Sequence, residues 1–214
     1  MRLVFFGDSI TDMERNRSAD APEPFTYGSG YVRLVAGELK RKNPLEYEII
    51  NRGIGGNRIV DMYARINRDV WVNSPDVLTV LDGVNDVCHP EIPSSGVELD
   101  RYENVYRRII SETLERFPEC KIIILTPFLE KAWATEKQWN TLSVEIPKMA
   151  KVAEKIAAEF NLPCIPLQKK MDEAVEKYGT DVVIDDGLHP CLYGSVIIAK
   201  EWLKTFYAIT GKGE

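Results

Sequence analysis

The chain has 214 residues, 44% of them hydrophobic and 28% charged, with a formal net charge of −6. That balance excludes a disordered chain, and the length suits one domain over 1–214 with a sizeable core. An acidic chain with no basic block and no apolar run near ~18 residues argues against nucleic acid or a membrane as partner.

Arg2-Leu-Val-Phe-Phe6 is a short apolar run ended by Gly7-Asp8-Ser9, which predicts a buried strand breaking off into a turn. With no basic n-region, apolar h-region or cleavage site ahead of that strand, no secretory signal is expected, and a cytoplasmic location is. Residues 12–30 are polar and turn-rich (Pro22, Pro24, Gly28, Gly30) and read as a long loop, a length that more often serves function than not. Val32, Leu34, Val35 and Leu39 recur at helical spacing and predict a helix over 31–42. A second strand is expected over 46–50, a glycine-rich turn over 51–58 and a helix over 59–70.

Residues 76–81 read as a third buried strand, ending in Asp82-Gly-Val-Asn85-Asp86. A polar stretch with Pro90 and Pro93 leads to an amphipathic helix over 100–117, with Tyr102, Tyr106, Ile109 and Ile110 on one stripe. The fourth strand, 121–127, is stopped by Pro127. A helical pattern over 138–160 contains Pro147, placed to kink or divide it. A short fifth strand over 162–166, a helix over 171–178, a turn over 185–190 and a closing helix over 194–209 complete the chain. Cys88, Cys120, Cys164 and Cys191 are widely spaced, with no Cys-x-x-Cys pair, and read as buried thiols rather than a zinc site.

Strands alternating with helices imply an α/β fold, a parallel sheet wrapped on both faces. Right-handed crossovers put every strand-to-helix loop on one edge, where ligands bind in open α/β sheets. Ser9, the Gly53–Gly56 turn and Asn85 all follow strands, so they share that rim.

A serine hydroxyl is a weak nucleophile and needs an adjacent base. His189 lies three residues after Asp186 in a glycine-containing turn, so the carboxylate could hold the imidazole while the imidazole activates Ser9. The Ser9 N–H, the Gly56 N–H and the Asn85 amide could receive a developing oxyanion. Taken singly, each signal has a plain structural explanation: Asp8 or Ser9 as a helix cap, the glycines as a tight turn, Asp186-Gly187 as an ordinary turn. Four such signals at strand ends, in an order that builds one site, are harder to explain that way.

Together these residues resemble the SGNH (GDSL-type) serine hydrolases, whose four sequence blocks occur here in order and span nearly the whole chain. Gly7-Asp8-Ser9-Ile10-Thr11 matches the first block and assigns Ser9 as nucleophile and oxyanion donor. Asn51-Arg-Gly-Ile-Gly-Gly-Asn57 matches the second, with Gly56 the best fit for the oxyanion glycine and Gly55 its neighbour. Gly83-Val-Asn85-Asp86 and Asp186-Gly-Leu-His189-Pro190 match the third and fourth. The resemblance implies a flavodoxin-like three-layer αβα sandwich on a five-stranded parallel sheet, and no cofactor or metal.

Gly28-Ser-Gly-Tyr31-Val and Leu125-Thr-Pro-Phe128 look most like the carbohydrate esterase branch, which deacetylates sugars such as acetylated xylan. The expected partner is therefore a small ester, an acetylated sugar, with the oligomeric state left open. Tyr27, Phe128 and Trp133 are candidates for shaping the pocket. A broad acyl-ester hydrolase of lipase, thioesterase or lysophospholipase type is the alternative. Two readings rank lower. Asp8, Asp12, Asp82, Asp86 and Asp186 could hold magnesium for phosphoryl chemistry, which would leave Asn85 and His189 without a role. Trp71, Trp133 and Trp139 could serve a non-catalytic sugar-binding module, although tryptophans so spaced are more often packing residues. His89 has no acidic partner at matching spacing, and Arg52 and Arg58 read as solvated or structural. A dinucleotide fingerprint fails, because Arg58 stands where its third glycine is needed.

Overall fold

The structure, a computed structural model, describes residues 1–87 and 95–212; His89, Cys88, Pro90 and Pro93 lie outside the described residues. Five apolar runs pair as parallel strands in the order β2-β1-β3-β4-β5. They are β1 (Arg2–Gly7), β2 (Glu48–Gly53), β3 (Val77–Leu81), β4 (Lys121–Leu125) and β5 (Cys164–Ile165). Between β1 and β2 lie the single turns α1 (Ser9–Asp12) and α2 (Glu23–Thr26) and the helix α3 (Tyr31–Lys42). Helix α4 (Ile59–Asp69) precedes β3, and α5 (Val84–Val87) and α6 (Leu99–Arg116) follow it. After β4 come α7 (Trp139–Glu159), β5, α8 (Gln168–Tyr178), α9 (Thr180–Val183) and α10 (Leu192–Thr210).

The alternation of β1 explains the two helical layers. Leu3 and Phe5 point into one core with Tyr31 of α3 and Trp202 and Phe206 of α10. Val4 and Phe6 point into the other, with Met62 of α4, Tyr106 of α6 and Met149 of α7. A strand buried on both faces must be apolar, as this one is from Leu3 to Gly7. The chain leaves β1 towards β2 on one side and returns to β3 on the other. The ends of β1 and β3 thus open a crevice at the point where the strand order reverses.

Three expectations are corrected. β2 runs on through Asn51, Arg52 and Gly53, where a turn was expected. Asn51 is buried, accepts the Gly53 N–H at 2.8 Å and donates to Thr11 O at 2.7 Å and Tyr27 O at 2.8 Å. Those bonds keep the backbone extended, and a Cβ on Gly53 would lie 2.2 Å from the Asp12 nitrogen. Pro147 does not divide α7. The buried face carried by Leu142, Ile146, Met149, Val152 and Ile156 outweighs the one backbone bond the proline removes. The loop over 12–30 begins on the last residue of α1 and contains the turn α2, too short to show a helical period. Among the described residues no helix is long and apolar enough to cross a membrane.

Candidate active site

The rim is built first by β1. Gly7 ends the strand where a Cβ would sit 2.4 Å from Thr11 Oγ1 and 2.6 Å from Leu81 O, so only a glycine lets the chain turn this tightly. Asp8 then caps α1, its carboxylate accepting the Ile10 N–H at 2.9 Å. The cap reading and the nucleophile reading were rivals in the sequence; here Asp8 takes the cap and Ser9 faces the crevice. Ser9 opens α1, and a first-turn N–H has no intrahelical acceptor.

At the other end of the chain, His189 Nε2 lies 2.8 Å from Ser9 Oγ, and His189 Nδ1 lies 2.6 Å from Asp186 Oδ2. Asp186 Oδ1 also accepts the Leu188 and His189 N–H groups, both at 2.7 Å. One tautomer satisfies the line: Nδ1–H donates to Asp186, which leaves Nε2 to accept the Ser9 proton. Burial alone would push the Asp186 carboxyl up, but the bonds from His189 and Leu188 hold it below the usual carboxylate range. The bond to Asp186 raises the His189 imidazole above its ordinary value against the opposing effect of burial, with Asp8 adding to the rise.

The loop carrying these two residues is clamped from the segment after β4. Gly187 has φ +87°, and a Cβ on it would meet Glu130 O at 2.4 Å. Its carbonyl accepts the Glu130 N–H at 2.9 Å, and the Trp133 indole N–H donates to Asp185 Oδ2 at 3.2 Å.

The turn after β2 brings Gly55 to the cleft beside Ser9 and meets the segment after β3 through Asn57; Gly56 and Asn85 are not among the residues that wall the cleft. Asn85 donates one amide hydrogen to Asn57 O at 2.9 Å. The Gly55 N–H is taken by Asp12 Oδ2 at 3.1 Å, whereas Gly56, at φ +78°, has no acceptor for its N–H among the described residues.

A cleft of about 490 Å³ opens on Ser9 and His189, walled by Gly55, Asp12, Met13, Glu14 and Ser29. Ser29 belongs to the Gly28-Ser-Gly-Tyr31 motif, whereas nothing in the sequence marked Met13 or Glu14. Met13 and Glu14 adopt φ +38° and +58°, an uncommon conformation for such residues. Gly28 and Gly30 hold them there: a Cβ on Gly28 would lie 2.3 Å from Asp12 O, and one on Gly30 2.4 Å from Met13 Cγ. The Gly28-Ser-Gly30 spacing was the available signal.

Two pocket candidates are corrected. Phe128 is fully buried in the core between the sheet and α10, and Tyr27 is buried with its hydroxyl donating to Glu23. Their apolar rings pack behind the rim instead of lining the cleft. Trp133 is 70% exposed and stands over the loop of Asp185. Trp71 donates its indole N–H to Thr113 Oγ1 at 3.0 Å, and Trp139 packs beside Leu142 and Ile146. Arg58 is structural, bonded to Asp61 and Ser95 O.

The rim carboxylates do not form a cation cage. Asp8, Asp82 and Asp86 are buried. Burial pushes Asp8 up to about 7 and Asp86 up to about 6, and burial together with the neighbouring Asp86 and Asp8 raises Asp82 well above the usual carboxylate range. Asp8 accepts the Ile10 N–H at 2.9 Å and Asp86 the Ile59 N–H at 3.0 Å. Among the described residues no group of three His, Cys, Asp or Glu is arranged to hold a metal.

Residues 5–194 match the GDSL-like Lipase/Acylhydrolase family. The chain is 32% identical over 209 residues to the acetylxylan esterase of Geobacillus stearothermophilus, covering 95% of this chain and 92% of that protein. It is 26% identical to a GDSL esterase/lipase of Arabidopsis thaliana, covering 95% and 84%. A Parabacteroides merdae protein classed as a GDSL-like lipase superimposes with TM-score 0.88 at 33% identity, over 95% of this chain and 94% of that one. A catalytic mutant of the Geobacillus esterase superimposes with TM-score 0.82 at 30% identity, over 95% and 93%. Other catalytic mutants of that esterase replace a histidine and a serine.

Proposed function

This chain belongs to the GDSL-like lipase/acylhydrolase family and is a carboxylic ester hydrolase, and from that premise we propose that it removes acetyl groups from a sugar, with Ser9, His189 and Asp186 as its catalytic residues. His189 Nε2 takes the hydroxyl proton as Ser9 Oγ attacks the ester carbonyl, and Asp186 steadies the imidazolium that forms. Protonated His189 releases the sugar hydroxyl, leaving an acyl-serine. Water then enters, His189 removes its proton, and the acid departs as Ser9 is restored.

The oxyanion rests against the N–H groups of Ser9 and Gly56 and the free amide hydrogen of Asn85. Gly56 is preferred to Gly55 because Asp12 already engages the Gly55 N–H. Removing one such donor typically lowers kcat by ~10²–10³. Asn85→Ala is expected to lose activity on that scale, with far-UV circular dichroism and Tm near those of the parent. Turnover within a factor of two would take Asn85 out of the hole.

The observation that carries the chemistry is the continuous Ser9–His189–Asp186 line, at 2.8 and 2.6 Å, opening on a cleft. The acetyl-sugar assignment is supported by the Geobacillus relative and by walls in which Met13 supplies the one long apolar side chain. A panel of nitrophenyl acetate, butyrate and decanoate beside acetylated xylose and xylan tests it. Acetate should be preferred, with acetylated xylose turned over. Preference for decanoate would replace the sugar reading with a lipase-like one.

A further inference from the structure

A second cavity, of about 270 Å³, lies against β2, the edge strand of the sheet, and the segment that follows α1. Arg15, Arg17 and Arg52 line it, with the polar side chains Asn16, Ser18 and Thr26. It adjoins the acyl cleft through Asp12, which walls that cleft and is held by the same arginines. Arg17 bonds Asp12 Oδ2, while Arg15 Nε lies 3.6 Å from Asp12 Oδ1 and donates to Gly53 O at 3.0 Å.

The charges do not balance. Asp12 is the one carboxylate that pairs with this group, and the Arg52 guanidinium has neither an ion pair nor a hydrogen bond among the described residues. Its Nε is buried without a partner. The nearby Asp69 is already held by Arg65 and Arg68. Burial lowers the Arg15 guanidinium to about 10, with Arg17 and Arg52 opposing the help of Asp12, so Arg15 feels both neighbouring cations. An arginine fork matches a carboxylate or a phosphate with two parallel N–H bonds, and Arg52 presents such a fork to this cavity.

We propose that Arg15, Arg17 and Arg52 form an anion subsite beside the acyl cleft, which takes a carboxylate or phosphate carried by the alcohol half of the ester. The subsite itself stands on the cavity and its charges; only its coupling to turnover rests on the esterase reading. A substrate bearing such a group would be drawn to the rim and anchored by one end while its acetyl group meets Ser9.

The test has two arms. Calorimetry with glucuronate, inorganic phosphate and neutral xylose reads binding without turnover. Glucuronate or phosphate should bind while xylose does not, the affinity should fall as salt rises, and Arg52→Gln should weaken it about tenfold or more. Kinetics compares acetylated glucuronic acid, an acetylated sugar phosphate and acetylated xylose. The ratio of kcat/KM for the preferred charged ester over the neutral one should exceed about tenfold, reside in KM, and collapse in Arg52→Gln. Whichever anion gains more identifies the source.

If neither anion binds, or binding is indifferent to Arg52→Gln, the subsite is overturned whatever the esterase does. Equal kcat/KM for charged and neutral esters overturns the coupling while nitrophenyl acetate turnover leaves the hydrolase reading intact. Loss of all ester turnover in the parent protein overturns the hydrolase mechanism, and the calorimetric arm still decides the subsite.

Discussion

Ser9→Ala is expected to lower kcat on nitrophenyl acetate by about 10⁶-fold, the scale on which removing one member of a nucleophile–base unit acts. The loss should be chemical and not structural. The hydroxyl contributes one side-chain bond, to His189, and the cap that starts α1 belongs to Asp8. Alanine is a good helix residue, and the backbone N–H that would serve the oxyanion remains. Stability should therefore stay within about 0.5 kcal/mol of the parent, as for a partly exposed position with no buried partner left stranded. Steady-state kinetics and denaturant unfolding on one preparation check both halves. A variant that keeps a tenth of its turnover would exclude Ser9 as nucleophile.

Asp186→Asn is expected to cost about 10⁴-fold in kcat near neutral pH, for a reason of tautomers. The remaining carbonyl oxygen can still accept the Leu188 and His189 N–H groups, so the loop keeps its shape. The new amide, however, presents N–H to Nδ1. The imidazole then carries its proton on Nε2, facing Ser9, where it cannot accept the hydroxyl hydrogen. The pH profile should move as well. Activity needs neutral His189, and the bond to Asp186 is the first cause of its raised value, so the acid limb of kcat/KM in the parent should lie above about 6.5. Without the carboxylate, that limb should shift to lower pH. A limb that stays in place would mean that another group sets it.

The hydrogen-bonded line of Ser9, His189 and Asp186 was legible in the sequence because each of its parts is written locally. Gly7-Asp8-Ser9 marks a strand end and a cap within three residues. Asp186 and His189 are fixed to each other by a four-residue turn, and the right-handed crossover rule brings the two segments to one rim. What was not legible depends on contacts between distant segments. Arg65 is buried beneath the rim, bonded to Gly7 O at 3.0 Å, Arg52 O at 2.7 Å, Asn57 Oδ1 at 2.6 Å and Asp69, with its guanidinium over Phe6. In the sequence it is one more charged position on an amphipathic helix.

Asn51 likewise reads as part of a turn until its three bonds are known. Tyr27 and Phe128 show the opposite error. An aromatic residue near a rim loop was given to the pocket because one-dimensional position does not tell which way a ring faces. Met13 and Glu14 escaped notice because a left-handed backbone at non-glycine residues leaves no mark of its own. Its trace was in the two glycines that pack behind Met13, fifteen and seventeen positions later.

If the ester carbon is handed to the oxygen of Ser9, that oxygen should be open to covalent capture. The parent protein should react with a fluorophosphonate probe to give a single adduct, mapped by peptide mass spectrometry to Ser9, with activity lost in proportion and no labelling in Ser9→Ala. An active protein that the probe leaves unmodified, or one inactivated with the adduct on another residue and Ser9 intact, would contradict it.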